Sequence, residues 1–213
     1  MEPTHTLPDP TLDPAQRCFG ANRPLYQAYH DWEWGRPVRD DAALFERLSL
    51  EILAAGLSWY IVLSKRDALR AAWDGFDPAV VAAYGPDDSE RVLATPGLIR
   101  NRPKVEAIID NARALRAFQE AGGSLGDLVW SHAPAQHKTP RTFADLPSAS
   151  PESKALAKAL RDLGFRWIGP VIAYATMQAV GVVNDHLDGC PRAANPAPSA
   201  PPGLLPDTAP PAA

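Results

Sequence analysis

Two cysteines and two histidines place metal-binding chemistry at opposite ends of the chain. Cys18 and His30 lie near the start, and His186 and Cys190 form an H-x3-C pair near the end. One helical turn or a tight loop can bring the second pair to a single ion. Together the four offer a Cys2His2 set, a closed tetrahedral donor group typical of structural zinc, with no position left for a water molecule. One ion held this way would join points about 170 residues apart and restrict the unfolded chain much as a disulfide does. Spacing alone also allows two buried thiols and two unrelated histidines, because C-x11-H is not a finger spacing.

A second feature is an acid where the pattern calls for an apolar residue. On a helix over 41–55, Leu44, Leu48, Glu51 and Ala55 fall on one stripe. A carboxyl buried there is costly unless it is paired, or else its pKa rises, which makes Glu51 a candidate functional acid. A structural salt bridge with an arginine is the alternative. Tyr26, Tyr29, Trp32, Trp34 and Trp59 are close in sequence to both features. Any one aromatic is ordinarily core. A cluster bracketing a metal-type histidine and an acid suits the wall of a pocket for a flat, electron-poor or cationic ligand.

The elements that must position these residues are helical. Residues 41–55 have Asp40 or Asp41 to cap them and Gly56 to stop them. Further helices are predicted over 60–73, 77–84, 86–94, 101–121 and 151–163, and 170–182 is apolar enough to be a central buried helix. Strand-type alternation is scarce, no internal repeat is present, and 122–150 reads as an extended loop. Residues 1–16 and 191–213 are proline-rich with few large apolar groups, so both are predicted to be disordered, leaving a folded domain of 17–190.

Composition narrows the class. The chain has 213 residues, of which 46% are hydrophobic, enough for one domain with a real core. No apolar run is long enough to cross a membrane, and the first residues lack the basic and apolar regions of a secretory signal, so a cytoplasmic address is expected. A formal net charge of −4 argues against a broadly basic nucleic-acid footprint. Phosphates nonetheless respond to local patches. One candidate patch is 98–116, with Arg100, Arg102, Lys104, Arg113 and Arg116 against Glu106 and Asp110. Taken alone, an ordinary solvated helix face explains it better.

Four stretches carry a resemblance: RCFGANRPLYQAYHDWEWGRP, LFERLSLEILAAGLSWYIVLSKR, GLIRNRPKVEAIIDNA and GFRWIGPVIAYATMQAVGVVNDHLDGC. They resemble the bacterial DNA-3-methyladenine glycosylase I family, over nearly all of 17–190, with YHD-x-EWG, AGLSW and NDH-x3-C as specific motifs. The resemblance implies an all-α helix-hairpin-helix DNA glycosylase fold in which a structural zinc joins the N- and C-terminal segments through Cys18, His30, His186 and Cys190. It implies that the hairpin, residues 163–169, holds a DNA phosphate on its backbone N–H groups. Gly164 and Gly169 would allow close approach there, and Arg166 would add a charged contact. It assigns Glu51, Tyr29 and Trp59 to the damaged base, with Tyr26 and Trp34 as further pocket walls.

The implied partner is double-stranded DNA containing an alkylated purine, met by a monomer. The implied reaction is hydrolysis of the N-glycosidic bond of 3-methyladenine after the nucleotide leaves the stack, with Ala54, Gly56 and Leu57 near the gap left behind. Many superfamily relatives carry a catalytic aspartate in a V-D-x-H-like segment. Here Asn184 takes its place, and Asp185 is expected to hold the loop or to orient His186. No lysine is placed for a Schiff base, so a monofunctional enzyme is implied.

Several positions depart from the family pattern. Ala54 stands where glutamine is usual, Phe19 and Gly20 occupy the region of a usual tryptophan, and one residue is missing before Pro24. Trp32 replaces a typical asparagine, and Ile52 follows Glu51 in place of a small residue. These departures keep open a related glycosylase with a shifted alkyl-purine range, and a non-catalytic DNA-lesion-binding module is the remaining alternative.

Overall fold

A computed structural model describes residues 7–194. Its elements, in chain order, are α1 (Pro24–Trp32), α2 (Asp41–Ala54), α3 (Trp59–Leu63), α4 (Arg66–Ala72), α5 (Pro78–Ala82), α6 (Pro86–Ala94), α7 (Arg102–Glu120), α8 (Leu125–Trp130), α9 (Pro151–Asp162), α10 (Pro170–Ala179) and α11 (Pro191–Ala194). Among the described residues there is no strand, so the all-α expectation holds.

Local chemistry sets these boundaries. Asp40 caps α2 by accepting from Ala43 N at 2.9 Å, and Asn101 and Ser150 do the same for α7 and α9. Inside the domain, proline starts helices rather than breaking them: it sits in the first turn of α1, α5, α6, α7, α9 and α10. Helix α2 is the centre of the core. Leu44, Phe45, Leu48, Leu50, Ile52 and Leu53 are all buried, and α3, α7, α8 and α10 pack around them. The apolar surface that α2 removes from water is the main reason these short helices hold together.

Three expectations need correction. The single helix expected over 60–73 is two, because the backbone leaves helical geometry at Lys65 before re-entering it at Arg66, whose side chain pairs with a buried acid. The loop expected over 122–150 contains α8, whose Leu125 and Val129 are core residues. Gly126 masks this helix in the sequence, but only glycine fits, since a Cβ would lie 2.1 Å from the Arg39 carbonyl oxygen. Finally, of the extension expected to be disordered over 1–16, residues 7–16 are packed onto the domain. Asp9 is buried, its N–H donates to Asp31 Oδ2 at 2.8 Å, and its carboxylate accepts from Arg192 at 2.6 Å. Residues 1–6 and 195–213 lie outside the described residues.

Candidate active site and metal centre

Cys18, His30, His186 and Cys190 come together. Their donor atoms all lie within 4.8 Å of one another. Cys18 Sγ is 3.5 Å from His186 Nδ1, and Cys190 Sγ is 3.5 Å from both His30 Nε2 and His186 Nδ1. A tetrahedral zinc with ordinary Zn–S and Zn–N bonds separates neighbouring sulfur and nitrogen donors by about 3.5 Å. The outer nitrogens agree with that role. Asp31 Oδ1 accepts from His30 Nδ1 at 2.8 Å, and the Trp34 carbonyl accepts from His186 Nε2 at 3.1 Å. Each bond fixes the tautomer that leaves the inner nitrogen's lone pair facing the sulfurs. Gly35 lets the backbone come this close, since a Cβ there would lie 3.1 Å from the His186 ring. The donor set and geometry therefore fit a closed zinc site.

Asp185 does not orient His186. Its carboxylate accepts from Tyr174 Oη at 2.8 Å and Gln178 Nε2 at 2.6 Å, and lies 3.0 Å from His137 Nε2. It anchors the loop that bears His137. The Asn184 side chain holds the start of α11 through the carbonyls of Arg192 and Ala193.

Helix α1 carries Tyr26, Tyr29 and His30 on one side, which sets the aromatic wall directly against the metal-type cluster. Tyr29 is buried, with ring centroids 5.4 Å from Trp59 and 6.5 Å from a roughly parallel Tyr26. Phe19 packs on Tyr26 at 4.6 Å and on Trp34 at 5.0 Å, and Trp34 packs edge-on to His186 at 4.6 Å. Phe19 is thus part of the same aromatic surface. Trp32 has another task. Its indole N–H donates to the Leu7 carbonyl at 3.1 Å and its ring lies 5.6 Å from the Arg192 guanidinium, so it binds down the N-terminal segment.

Glu51 faces this wall from the last turn of α2. Burial pushes its carboxyl up to about 8, and only Arg47, one turn earlier, acts in the opposite direction. Its charge is felt at both Tyr26 and Tyr29. No protein group bonds to the Glu51 carboxyl or to the Tyr29 hydroxyl among the described residues, and the buried Trp59 indole N–H is also without a partner. Three polar groups of one aromatic enclosure are therefore free to meet a ligand.

The sequence reading missed the acid that organises this floor. Glu33 is buried and accepts from Arg47 and Arg66, each at 2.6 Å. Burial opposes its ionisation, but Arg66 and Arg47 outweigh burial and hold the carboxyl down to about 2. The available signal was an acid enclosed between Trp32 and Trp34.

The residues expected to meet DNA divide. Gly56 and Leu57 are exposed, in the turn between α2 and α3. Ala54 is not: it is 8% exposed, in the core at the end of α2, and its carbonyl accepts from Leu57 N. Helices α9 and α10 are joined by the tight turn 163–169, with Gly164 at φ +94 and Gly169 in open space at an ordinary extended conformation. Arg166 pairs with Asp110, and its backbone N–H and carbonyl are both held by Asn111. The basic segment 98–116 is largely committed to internal bonds: Lys104 to α2 carbonyls, Arg102 to Glu90, and Arg113 to the Ala82 and Tyr84 carbonyls. A separate cavity of about 440 Å³ lies under the loop 134–147, lined by His137, Tyr174 and Asp185. Its buried acid already has three protein partners.

The family model described as methyladenine glycosylase matches residues 19–193. The chain belongs to that family. DNA-3-methyladenine glycosylase 1 of Escherichia coli is 45% identical over 178 residues, covering 82% of this chain and 95% of that one. A crystal structure of a 3-methyladenine DNA glycosylase I superposes with a TM-score of 0.79 at 45% identity, covering 85% of this chain and 100% of the other. The enzyme from Staphylococcus aureus, solved to define the structural basis of its 3-methyladenine recognition, gives a TM-score of 0.77 at 34% identity, covering 83% and 95%. In this methyladenine glycosylase family member the aromatic enclosure and three of the four cluster residues, His30, His186 and Cys190, fall inside the matched span, and Cys18 lies one residue before it.

Proposed function

We propose that the protein is a monofunctional DNA glycosylase that hydrolyses the N-glycosidic bond of 3-methyladenine in alkylated DNA, in base excision repair. The observation that carries this reading is the enclosure formed by Tyr29, Trp59 and Glu51, whose polar groups have no protein partner. A flat cation answers all of it: the rings stack on or enclose the base, and the carboxylate accepts its N–H groups while opposing its charge.

The electrostatics supply discrimination. Buried among these rings, Glu51 titrates near 8, so at neutral pH ionisation is disfavoured. A purine cationic through N3-methylation offsets the cost of the buried carboxylate, whereas a neutral purine offers no such compensation. The flipped nucleotide leaves a gap, which exposed Leu57 enters. The C1′–N bond then breaks with its electron pair going to the base, which departs neutral. Water adds to C1′ and its proton passes to solvent. A cationic purine is already a good leaving group, so the loss of an aspartate at Asn184 is tolerated.

One structural zinc ion on Cys18, His30, His186 and Cys190 is part of the same proposal. It would supply no chemistry, since all four positions are protein ligands, and would hold α1, which bears Tyr26 and Tyr29, against the C-terminal segment. The turn between α9 and α10 acts as the phosphate-holding hairpin of a helix-hairpin-helix motif. This reading puts the enzyme with cytoplasmic DNA, and no helix among the described residues is long and apolar enough to cross a membrane.

Incubating the protein with methylated DNA and identifying the released bases tests the reading. Release of 3-methyladenine is expected. Release of a broader set of alkylated purines would replace it with the wider-range enzyme, and no release from folded protein would leave a lesion-binding module.

A further inference from the structure

Among the described residues most exposed large apolar side chains are aliphatic, with Phe143 and Trp167 the aromatic ones. Trp167 is different. It stands in the α9–α10 turn with its indole 41% exposed. Its backbone sits at φ +62, in the left-handed region that a bulky L residue rarely adopts. The conformation is imposed from below. Asn111 on α7 accepts from Arg166 N at 2.6 Å and donates to the Arg166 carbonyl at 3.2 Å, which fixes both peptide units leading into Trp167. The flanking Phe165 and Ile168 are buried at 2% each, so the turn is anchored on either side while the indole between them is left in solvent.

The turn is also tied to the exposed Leu57. Lys104 is buried on α7, and its ammonium donates to the carbonyls of Leu53 at 2.8 Å and Ala55 at 2.6 Å, capping the end of α2. The same ammonium lies 5.8 Å from the centre of the Trp167 ring, within cation–π range. One side chain therefore bridges the end of α2, two residues before Leu57, and the indole, and Leu57 and Trp167 are both exposed.

We propose that Trp167 is a DNA-backbone anchor, packing its indole on a deoxyribose beside the lesion and donating its N–H to a neighbouring phosphate oxygen. This inference rests on the glycosylase reading. A large apolar ring held in solvent at a strained backbone position is uneconomical for folding, and a groove edge offers sugar faces and phosphate acceptors together. The indole would supply sequence-independent affinity to a protein whose net charge is −4 and whose arginines are mostly paired. The role differs from that of Leu57, which acts only where a gap exists.

The test compares two duplexes by fluorescence anisotropy: an undamaged one, and one containing a stable abasic-site analogue. Trp167→Ala should weaken binding to both by a similar factor of roughly ten, equivalent to about 1.4 kcal/mol. Trp167→Phe should fall between, keeping the packing and losing the N–H donor. Leu57→Ala should weaken binding to the abasic duplex alone. Trp167→Gly should bind as weakly as the alanine variant while melting no lower than wild type, because glycine relieves the left-handed strain. That variant separates a DNA role from a folding role. Unchanged affinity of Trp167→Ala for both duplexes would overturn the proposal, and so would a loss confined to the abasic duplex, which would make the indole a gap-filling group. If wild type binds neither duplex, the glycosylase reading fails first.

Discussion

Replacing Glu51 with glutamine should make the protein more stable and less active, with a pH dependence that identifies the cause. The folded-state pKa of Glu51 is raised from 4.5 to about 8. A raised pKa means the folded state binds the proton more tightly than the unfolded chain does. Its contribution to stability is therefore complete below about 4.5 and is lost progressively until the pH passes 8. Each pH unit in that window corresponds to about 1.4 kcal/mol, or about 3 kcal/mol at pH 7, which solvent contact at the half-buried carboxyl trims to roughly 2 kcal/mol. Glutamine has no such dependence. For a chain of this size, roughly 2 kcal/mol is a melting shift of about 4–8 °C. Glu51→Gln and wild type should melt together near pH 4.5 and diverge steadily towards pH 8, the variant always higher. Excision of 3-methyladenine should fall by roughly 10- to 100-fold, the worth of a hydrogen bond to a charged group, with metal content unchanged. A stability difference that stays constant with pH would refute the assignment of Glu51 as a buried, unpaired acid, and full activity in the variant would remove it from recognition.

Other perturbations address other parts of the site. Glu33→Gln should destabilise the fold by about 3–5 kcal/mol, because it leaves Arg47 and Arg66 buried without their partner; urea melts measure this. Glu33 has a lowered pKa, so its contribution is present above the ordinary glutamate range and is lost as pH falls towards 2; the wild-type protein should lose that part of its stability in acid while the variant does not. Elemental analysis of freshly purified protein should find one zinc per chain, and His186→Ala should abolish it with a marked drop in melting temperature. An absence of metal from the wild type would refute the ligand assignment. Lys104→Met should lower the melting temperature by several degrees, since the carbonyls of Leu53 and Ala55 lose their cap; no shift would mean that water replaces the ammonium.

Much of this was legible in the chain. Donor type and the H-x3-C spacing made the Cys/His quartet a candidate set, and the resemblance to the family, rather than the spacing, joined all four residues. Glu51 was visible as an acid on an apolar stripe, and Tyr29 sits one residue from His30. Residues whose meaning depends on distant partners were opaque. Glu33 finds Arg47 and Arg66 on different helices, and nothing local distinguishes a clamped carboxylate from a solvated one. Lys104 looked like part of a basic face but turns inward to cap another helix. Ala54 read as a DNA contact because it adjoins the AGLSW motif, yet the helix continues through it and buries its methyl group. The proline-rich start concealed Asp9, whose burial rests on Asp31 and on Arg192 at the far end of the domain.

That last contact has a topological consequence. Asp9 and Arg192 are joined at 2.6 Å, and Cys18 meets the loop of His186 and Cys190 close by. The two ends of the described chain are thus tied together by an ion pair and by the Cys/His cluster. A short flexible peptide linking residue 194 to residue 7 should close the chain into a ring without moving a helix. New ends could then be cut in the exposed turn at Gly122, leaving a circular permutant whose aromatic enclosure and Cys/His cluster sit in mid-chain rather than at its seams.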